Sequence, residues 1–309
     1  MTERLDRAGL GYAFAAYAIW GSFPILMDEL RPAGSVEIVA HRAAWSLVFC
    51  LLLVAVLRRW KPLFAALRQP RVVGTLALAA ALIAFNWGVM LYAVMTDRVA
   101  DSSLGYYINP LITVALGVVV LRERLHRAQA VAIALAGAAI VVVGFELHGV
   151  PWIAPTLAVT FALYSLVKKR IGATIDALTG FTIETIALAP VALTIFLVIS
   201  ARGDSTWGHF GLGHDLWLAS TGVWTAGALL IFAAGASRLP LYVTGLIQFL
   251  TPTITFILSV TYFGEPMPPT RWAGFALVWV ALIIITVDTW RRARTSAAAR
   301  AAVVVTEPE

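Results

Sequence analysis

The stretch from Ser103 to Gly144, SLGYYINPLITVALGVVVLRERLHRAQAVAIALAGAAIVVVG, returns from Gly245 to Thr286 as GLIQFLTPTITFILSVTYFGEPMPPTRWAGFALVWVALIIIT. A shift of 142 positions superimposes the two copies without a gap. Pro110 then falls on Pro252, Ile112 and Thr113 on Ile254 and Thr255, Leu116 on Leu258, Val118 on Val260 and Glu123 on Glu265. Matches between apolar spans come cheaply. A proline and a glutamate at the same spacing in both copies do not. The chain therefore reads as an internal duplication, and a duplicated apolar half is the mark of many secondary transporters.

Each copy is an apolar span, an acidic turn and a second apolar span. The rest of the chain has the same character: of 309 residues, 60% are hydrophobic and only 13% charged. A soluble domain carries roughly 25% charged residues, so the solvent for most of this surface is lipid. The basic balance, with a pI near 9.8, does not point to nucleic acid, because the Lys and Arg residues sit in short clusters between apolar spans. The single cysteine, Cys50, lies in an apolar run and forms no internal disulfide.

About 20 apolar residues cross a bilayer. By that measure the chain has ten spans, at about 8–27, 36–57, 72–95, 101–121, 128–145, 151–168, 178–200, 215–236, 242–263 and 271–288. Residues 1–145 form a first five-helix repeat, 146–290 a second, and 291–309 an unstructured cytoplasmic tail. The connections are short, and the longest, Ser200 to Asp215, reads as a plain Gly-rich loop. With the N-terminus inside, 18 of the 23 basic residues fall on the cytoplasmic side, as the positive-inside rule requires. Both termini are then cytoplasmic. Five spans per half is an odd number, so the halves enter the membrane with opposite orientation. The fold class is an all-α polytopic membrane protein of ten helices in two inverted repeats.

Ionisable residues inside spans are costly and mark function by default. Glu37, His41 and Arg42 stand at the start of the second span. Glu184 stands at the start of the seventh and reads as the counterpart of Glu37. These four are the proton or charge candidates, with a local structural pair as the alternative for Glu37. The polar and aromatic residues Trp20, Asn86, Trp87, Tyr106, Asn109, Tyr164 and Gln248 are the candidate cavity residues. Pro110 and Pro252 are expected to bend two spans, freeing the carbonyls of Tyr106 and Gln248. Freed backbone groups at depth must meet protein or line a cavity. Helix–helix hydrogen bonding and interfacial anchoring are the alternative roles for these side chains. The small residues of the fifth and tenth spans suit peripheral helices or a homodimer contact. No metal-ligand set, phosphate loop or nucleophile elbow is found, so neither a metal nor a cofactor nor an enzyme activity is expected.

The segments AAYAIWGSFPI, EIVAHRAAWS, NWGVMLYAV, SLGYYINPLITVALGVVVLRERL, TGFTIETIALAPVA and Gln248–Pro252 resemble the EamA group of the drug/metabolite transporter superfamily. The resemblance covers nearly the whole chain. It implies ten spans in two inverted repeats, a central cavity from spans one, three, four, six, eight and nine, and a place in the bacterial cytoplasmic membrane. The implied activity is export or exchange of a small-molecule metabolite or drug-like solute. The competing reading is a membrane-embedded sensor or assembly partner without flux.

Overall fold

The computed structural model describes residues 6–121, 126–146, 151–171, 174–236, 238–239, 243 and 247–305, and among these every regular element is a helix. The elements are α1 (Arg7–Asp28), α2 (Ser35–Val56), α3 (Trp60–Leu67), α4 (Pro70–Met95), α5 (Val99–Leu121), α6 (Arg127–Glu146), α7 (Ile153–Ile171), α8 (Ala177–Arg202), α9 (Leu212–Ala236), α10 (Leu250–Thr261) and α11 (Pro269–Val305). Six of them, α1, α2, α4, α8, α9 and the Pro269–Asp288 part of α11, are long and apolar enough to cross a membrane. The glutamate of the first repeat copy, Glu123, lies outside the described residues, as do Arg122 and Arg124.

Local chemistry sets the helix ends. The Asp6 carboxylate accepts from the Ala8 amide at 2.9 Å and opens α1. Pro70 opens α4 at a position where its missing N–H costs nothing. Asp176 caps α8 by accepting from the Thr179 amide at 3.1 Å, and Gly203 ends that helix at φ 73°. Burial is inverted relative to a soluble protein. Asn86, His41, Ser102, Ser103, Thr182 and Thr185 are fully buried, while Leu193, Leu197 and Ile283 are each about 60% exposed. Large apolar side chains cover the outside, and these polar ones share the interior with the apolar core, which is the arrangement a lipid solvent selects.

The packing pattern repeats itself between the halves. α1 packs on α9 and α10, and α7 packs on α4 and α5. α2 packs on α8 and α9, and α8 on α2 and α4. α5 meets α10, and α6 meets α11. Exchanging the halves maps this pattern onto itself. Glycines permit close crossings. A Cβ at Gly105 would stand 2.8 Å from the Ala154 carbonyl oxygen on α7, and a Cβ at Gly222 on α9 would collide with the backbone of Trp45 and Ser46 on α2. The small residues of α6 and α11 serve one another: a Cβ at Gly274 would meet Val143 at 2.7 Å.

Three expectations need correction. The cluster of basic residues after α2 contains an extra helix, α3, with Leu63 and Ala66 buried and Trp60 and Phe64 exposed. It is too short and one-sided to register as a span, and it lies against α8 and α4. The tail expected to be unstructured is helical as far as Val305. Its Arg/Ala-rich sequence has high helix propensity, and growth from an existing helix carries no nucleation cost. Pro110 does lie inside α5, but Pro252 sits in the first turn of α10. There it replaces an amide that would have no helical partner, directly after the turn at Gln248 and Phe249 that follows helical Ile247.

Candidate solute-binding site

The starts of α2 and α8, Ser35 and Ala177, are separated by the same 142 positions as the two repeat copies. Carried along these helices, that register pairs Arg42 with Glu184, each the eighth residue of its helix. Glu37 is therefore not the counterpart of Glu184. It falls on Thr179, and similar distance from a span start was a misleading guide because the two segments had no gap-free alignment to fix them. The eighth residue stands about 10 Å along its helix from the first, so Arg42 and Glu184 lie at matching depths from opposite ends of the bundle.

Arg42 is 2% exposed. Its Nε donates to Thr225 Oγ1 on α9 at 2.7 Å. The guanidinium carbon lies 4.0 Å from the centre of the Trp87 ring on α4 and 4.7 Å from that of Phe23 on α1. Nη1 is buried and has no hydrogen-bond partner, and neither has the Ser46 hydroxyl one turn further along α2. Among the described residues no carboxylate forms a salt bridge with Arg42. Cation–π contact offsets part of the cost of burying this charge, and one hydrogen bond out of a capacity of five offsets a little more.

Asn86, next to Trp87 on α4, begins a polar chain that crosses to the other half. Its Nδ2 donates to the Leu157 carbonyl at 3.0 Å and to Thr160 Oγ1 at 2.8 Å, and its Oδ1 accepts from the Tyr106 hydroxyl at 3.1 Å. The Tyr106 ring meets Phe161 edge-on at 6.1 Å, and Phe161 lies 5.9 Å from the Tyr164 ring. The Tyr164 hydroxyl donates to Glu184 Oε2 at 3.4 Å, and Lys168 Nζ to Glu184 Oε1 at 2.5 Å. Glu184 is 1% exposed, so it is a buried acid satisfied by a lysine reaching in from the end of α7.

Glu37 and His41 belong to a third group, at the end of the bundle opposite the N-terminus. Glu37 Oε1 accepts from the Thr206 amide at 2.8 Å and the Ser205 hydroxyl at 3.2 Å. The His41 ring stacks on Trp207 at 5.0 Å and meets Phe196 at 4.4 Å, and its Nδ1 accepts from Trp45 Nε1 at 3.3 Å. The α8–α9 connection, read from sequence as a plain loop, is thus a cover fastened to the start of α2. Glu265, the repeated glutamate, fastens another part of the same face. Its Oε1 accepts from the first amides of α5, Val99 and Ala100, and Arg271 lies 3.6 Å from its Oε2. Burial raises the Glu265 carboxyl from near 4.5 to about 7, against the pull of those amides and of Arg271.

The remaining sequence candidates stand apart. Trp20 joins Tyr17 and Phe232 in an aromatic group between α1 and α9, with centroids 5.4 Å from each. Asn109 receives the Thr113 hydroxyl of its own helix and, among the described residues, no other side chain. Gln248 is half-buried in the turn before α10. Sequence reasoning missed Lys168, Thr160, Thr206 and Trp207. Lys168 stands beside Lys169 and Arg170 in a short basic cluster, and nothing in a one-dimensional charge pattern distinguishes a lysine that folds inward. At the end of the bundle that carries the N-terminus, a groove of about 630 Å³ opens between α4 and α7, lined by Arg71, Thr75, Leu78, Val167 and Ile171.

Comparison with known proteins agrees with this architecture. The model of the EamA-like transporter family matches twice, over residues 7–145 and 150–287. Protein RarD of Streptomyces exfoliatus is 46% identical over 296 residues, covering 96% of this chain and 93% of that protein. Uncharacterized transporter YojE of Bacillus subtilis is 37% identical, covering 96% of this chain and all of that one. A solved crystal structure superimposes with a TM-score of 0.59 at 19% identity, covering 92% of this chain and 98% of the other. At that identity the likeness concerns the fold.

Proposed function

The chain belongs to the EamA-like transporter family, and on that premise we propose that it is a secondary transporter exporting or exchanging small metabolites or drug-like solutes by alternating access. It is a multi-pass membrane protein. In this reading ten spans form two inverted five-helix repeats in the bacterial cytoplasmic membrane, with both termini inside.

The observation that carries the reading is the buried polar chain between the two halves. The chain of side chains from Arg42 and Trp87 through Asn86 and Tyr106 to Tyr164 and Glu184 runs between the halves. At the outer end it is covered by the α8–α9 loop held on Glu37 and His41. At the inner end a groove lies between α4 and α7, lined by none of these side chains. The exchange symmetry of the helix packing supports a second state in which the closure is reversed. Trp87, Asn86, Tyr106 and Tyr164 line the solute path in this reading, with Trp20 and Gln248 at its edges. Glu184 carries or gates a proton.

The test uses the purified protein in sealed liposomes containing a pH-sensitive dye. Amino acids, nucleosides and amphipathic drugs are added in turn, and exchange of labelled solute is followed in parallel. Solute-dependent proton movement that disappears in Glu184→Gln is the expected result. Labelled exchange that proceeds without proton movement removes the role of Glu184 and leaves a facilitator. Ligand-induced stabilisation with no flux of any kind sinks the transport reading in favour of a sensor.

A further inference from the structure

We infer that Arg42 forms the anion-binding half of the solute site, and that the solute is an aromatic or apolar molecule bearing a carboxylate. The inference rests on the transporter reading and deepens it. Its ground is an incomplete ion. A guanidinium taken out of water into a low-dielectric interior normally has a carboxylate partner, because the desolvation of a lone charge is costly. Arg42 is 2% exposed and has none among the described residues. What it has is a ring above, a ring beside and one hydroxyl.

Two polar groups without partners lie one helical turn apart. Nη1 of Arg42 is buried and unpaired, and Ser46 Oγ, four residues on along the same face of α2, is also buried and unpaired. Buried polar atoms without partners are uncommon in native structures, and two on one helix face share a single explanation if a ligand completes them. The guanidinium fork matches the two oxygens of a carboxylate better than any other small group of that size, phosphate excepted. The surroundings favour the carboxylate on an apolar body: Trp87 and Phe23 flank the fork, and Tyr106 and Phe161 follow along the path. Four helices, α1, α2, α4 and α9, converge on this one side chain.

The symmetry-related position makes the contrast sharper. Glu184 is equally buried and its charge is answered by Lys168 from the protein itself. Arg42 is the member of the pair whose counter-ion the protein omits. A structural arginine would have been given its acid, as Glu184 was given its base.

The test compares matched ligands that differ in charge alone. The full-length protein is purified in detergent, and its melting temperature is followed during titration with benzoate and phenylacetate and with their amides, benzamide and phenylacetamide. The acids are expected to raise the melting temperature at the lower concentrations and the amides to do so roughly 10- to 100-fold less tightly, the range of a hydrogen bond to a charged group. Arg42→Met is expected to fold and to abolish the preference for the acid. Arg42→Lys keeps the charge but not the fork, and is expected to retain a weaker preference. Equal stabilisation by acid and amide, absence of stabilisation by every acid at its highest soluble concentration, or an acid preference that survives Arg42→Met would overturn the proposal. If Arg42→Met does not fold, the acid–amide comparison on the unaltered protein and on Arg42→Lys decides alone. The two readings fail separately. Acid-selective binding without flux leaves the anion site and removes the transporter, whereas flux of neutral or cationic solutes untouched by Arg42→Lys does the reverse.

Discussion

Arg42 and Glu184 occupy equivalent positions in the two halves, and the protein treats them oppositely. The acid is neutralised by Lys168 and hydrogen-bonded by Tyr164, while the base is left with rings and a hydroxyl. The helices that carry them differ in the same sense. α2 is pressed against α9 at Gly222 until the backbones touch. α8 meets α4 through Ala80, the residue 142 positions before Gly222, in a cluster of Ala40, Ala43, Leu188 and Ala192. The two frames correspond in register, and one holds a tight crossing with an open charge while the other holds a looser crossing with a closed charge.

The largest effect expected from breaking this contrast is at the tight crossing. Gly222→Val places side-chain atoms inside the α2 backbone and is expected to cost more than about 3 kcal/mol, seen as loss of monodisperse protein on size exclusion. Ala80→Val, its equivalent, is expected to cost about 1–3 kcal/mol and to leave folded protein. Similar behaviour of the two variants would erase the distinction between the crossings.

Next in size is the charge contrast. Lys168→Met strands a buried carboxylate and is expected to lower stability by roughly 3 kcal/mol, the low end for such a loss because Lys168 keeps a quarter of its side chain exposed. Arg42→Met removes a charge that has no ionic partner and is expected to leave the ligand-free melting temperature unchanged or raised. A fall as large as that of Lys168→Met would show that Arg42 is a structural cation.

The pH profile sharpens the comparison of the two faces. The folded carboxyl of Glu265 titrates at about 7 against an ordinary 4.5, so the folded state holds that proton more tightly. Its stabilising contribution is complete below about 4.5 and is lost as the pH rises to about 7. Glu265→Gln is expected to flatten that slope in thermal unfolding, and a slope that persists would assign it to another group. Asp176, on the opposite face, is shifted the other way. Burial alone would raise it, but hydrogen bonds from Thr179 and Arg59 outweigh that and hold it below its usual value. Its contribution is present at neutral pH and is lost as the pH falls through that depressed value. The smallest effect expected is that of Asp176→Ala, about 1 kcal/mol from loss of the α8 cap.

Much of this was legible in the sequence because the repeat fixes a register. A spacing of 142 aligned Pro110 with Pro252 and Glu123 with Glu265, and the same spacing separates the starts of α2 and α8. Asn86, Trp87 and Tyr106 stood out as polar or amphipathic groups where lipid would not tolerate them, and the structure brings Asn86 and Tyr106 into contact. The partners of the charges were not legible. Glu265 marked the repeat, but its bonds to the amides of Val99 and Ala100 join residues 166 and 165 positions apart. Lys168 belongs by sequence to a basic surface cluster, and the long lysine stem lets it reach inward to Glu184. Trp207 stands in a Gly-rich loop, and no sequence pattern shows that its ring lies on His41.

The contact at Gly222 has a mechanical consequence. Where backbone lies on backbone, no rotamer can yield, so α2 and α9 are expected to turn as one stiff body. The alanine-lined seam between α8 and α4 has side chains between its helices and is the compliant one. Arg42 and Thr225 ride together on the stiff seam, while Trp87 and Asn86 ride on the other side. A pivoting motion would then keep the Arg42–Thr225 spacing and change the Arg42–Trp87 spacing. Half of the pocket would travel with the solute's charge, and half would close over or withdraw from its body.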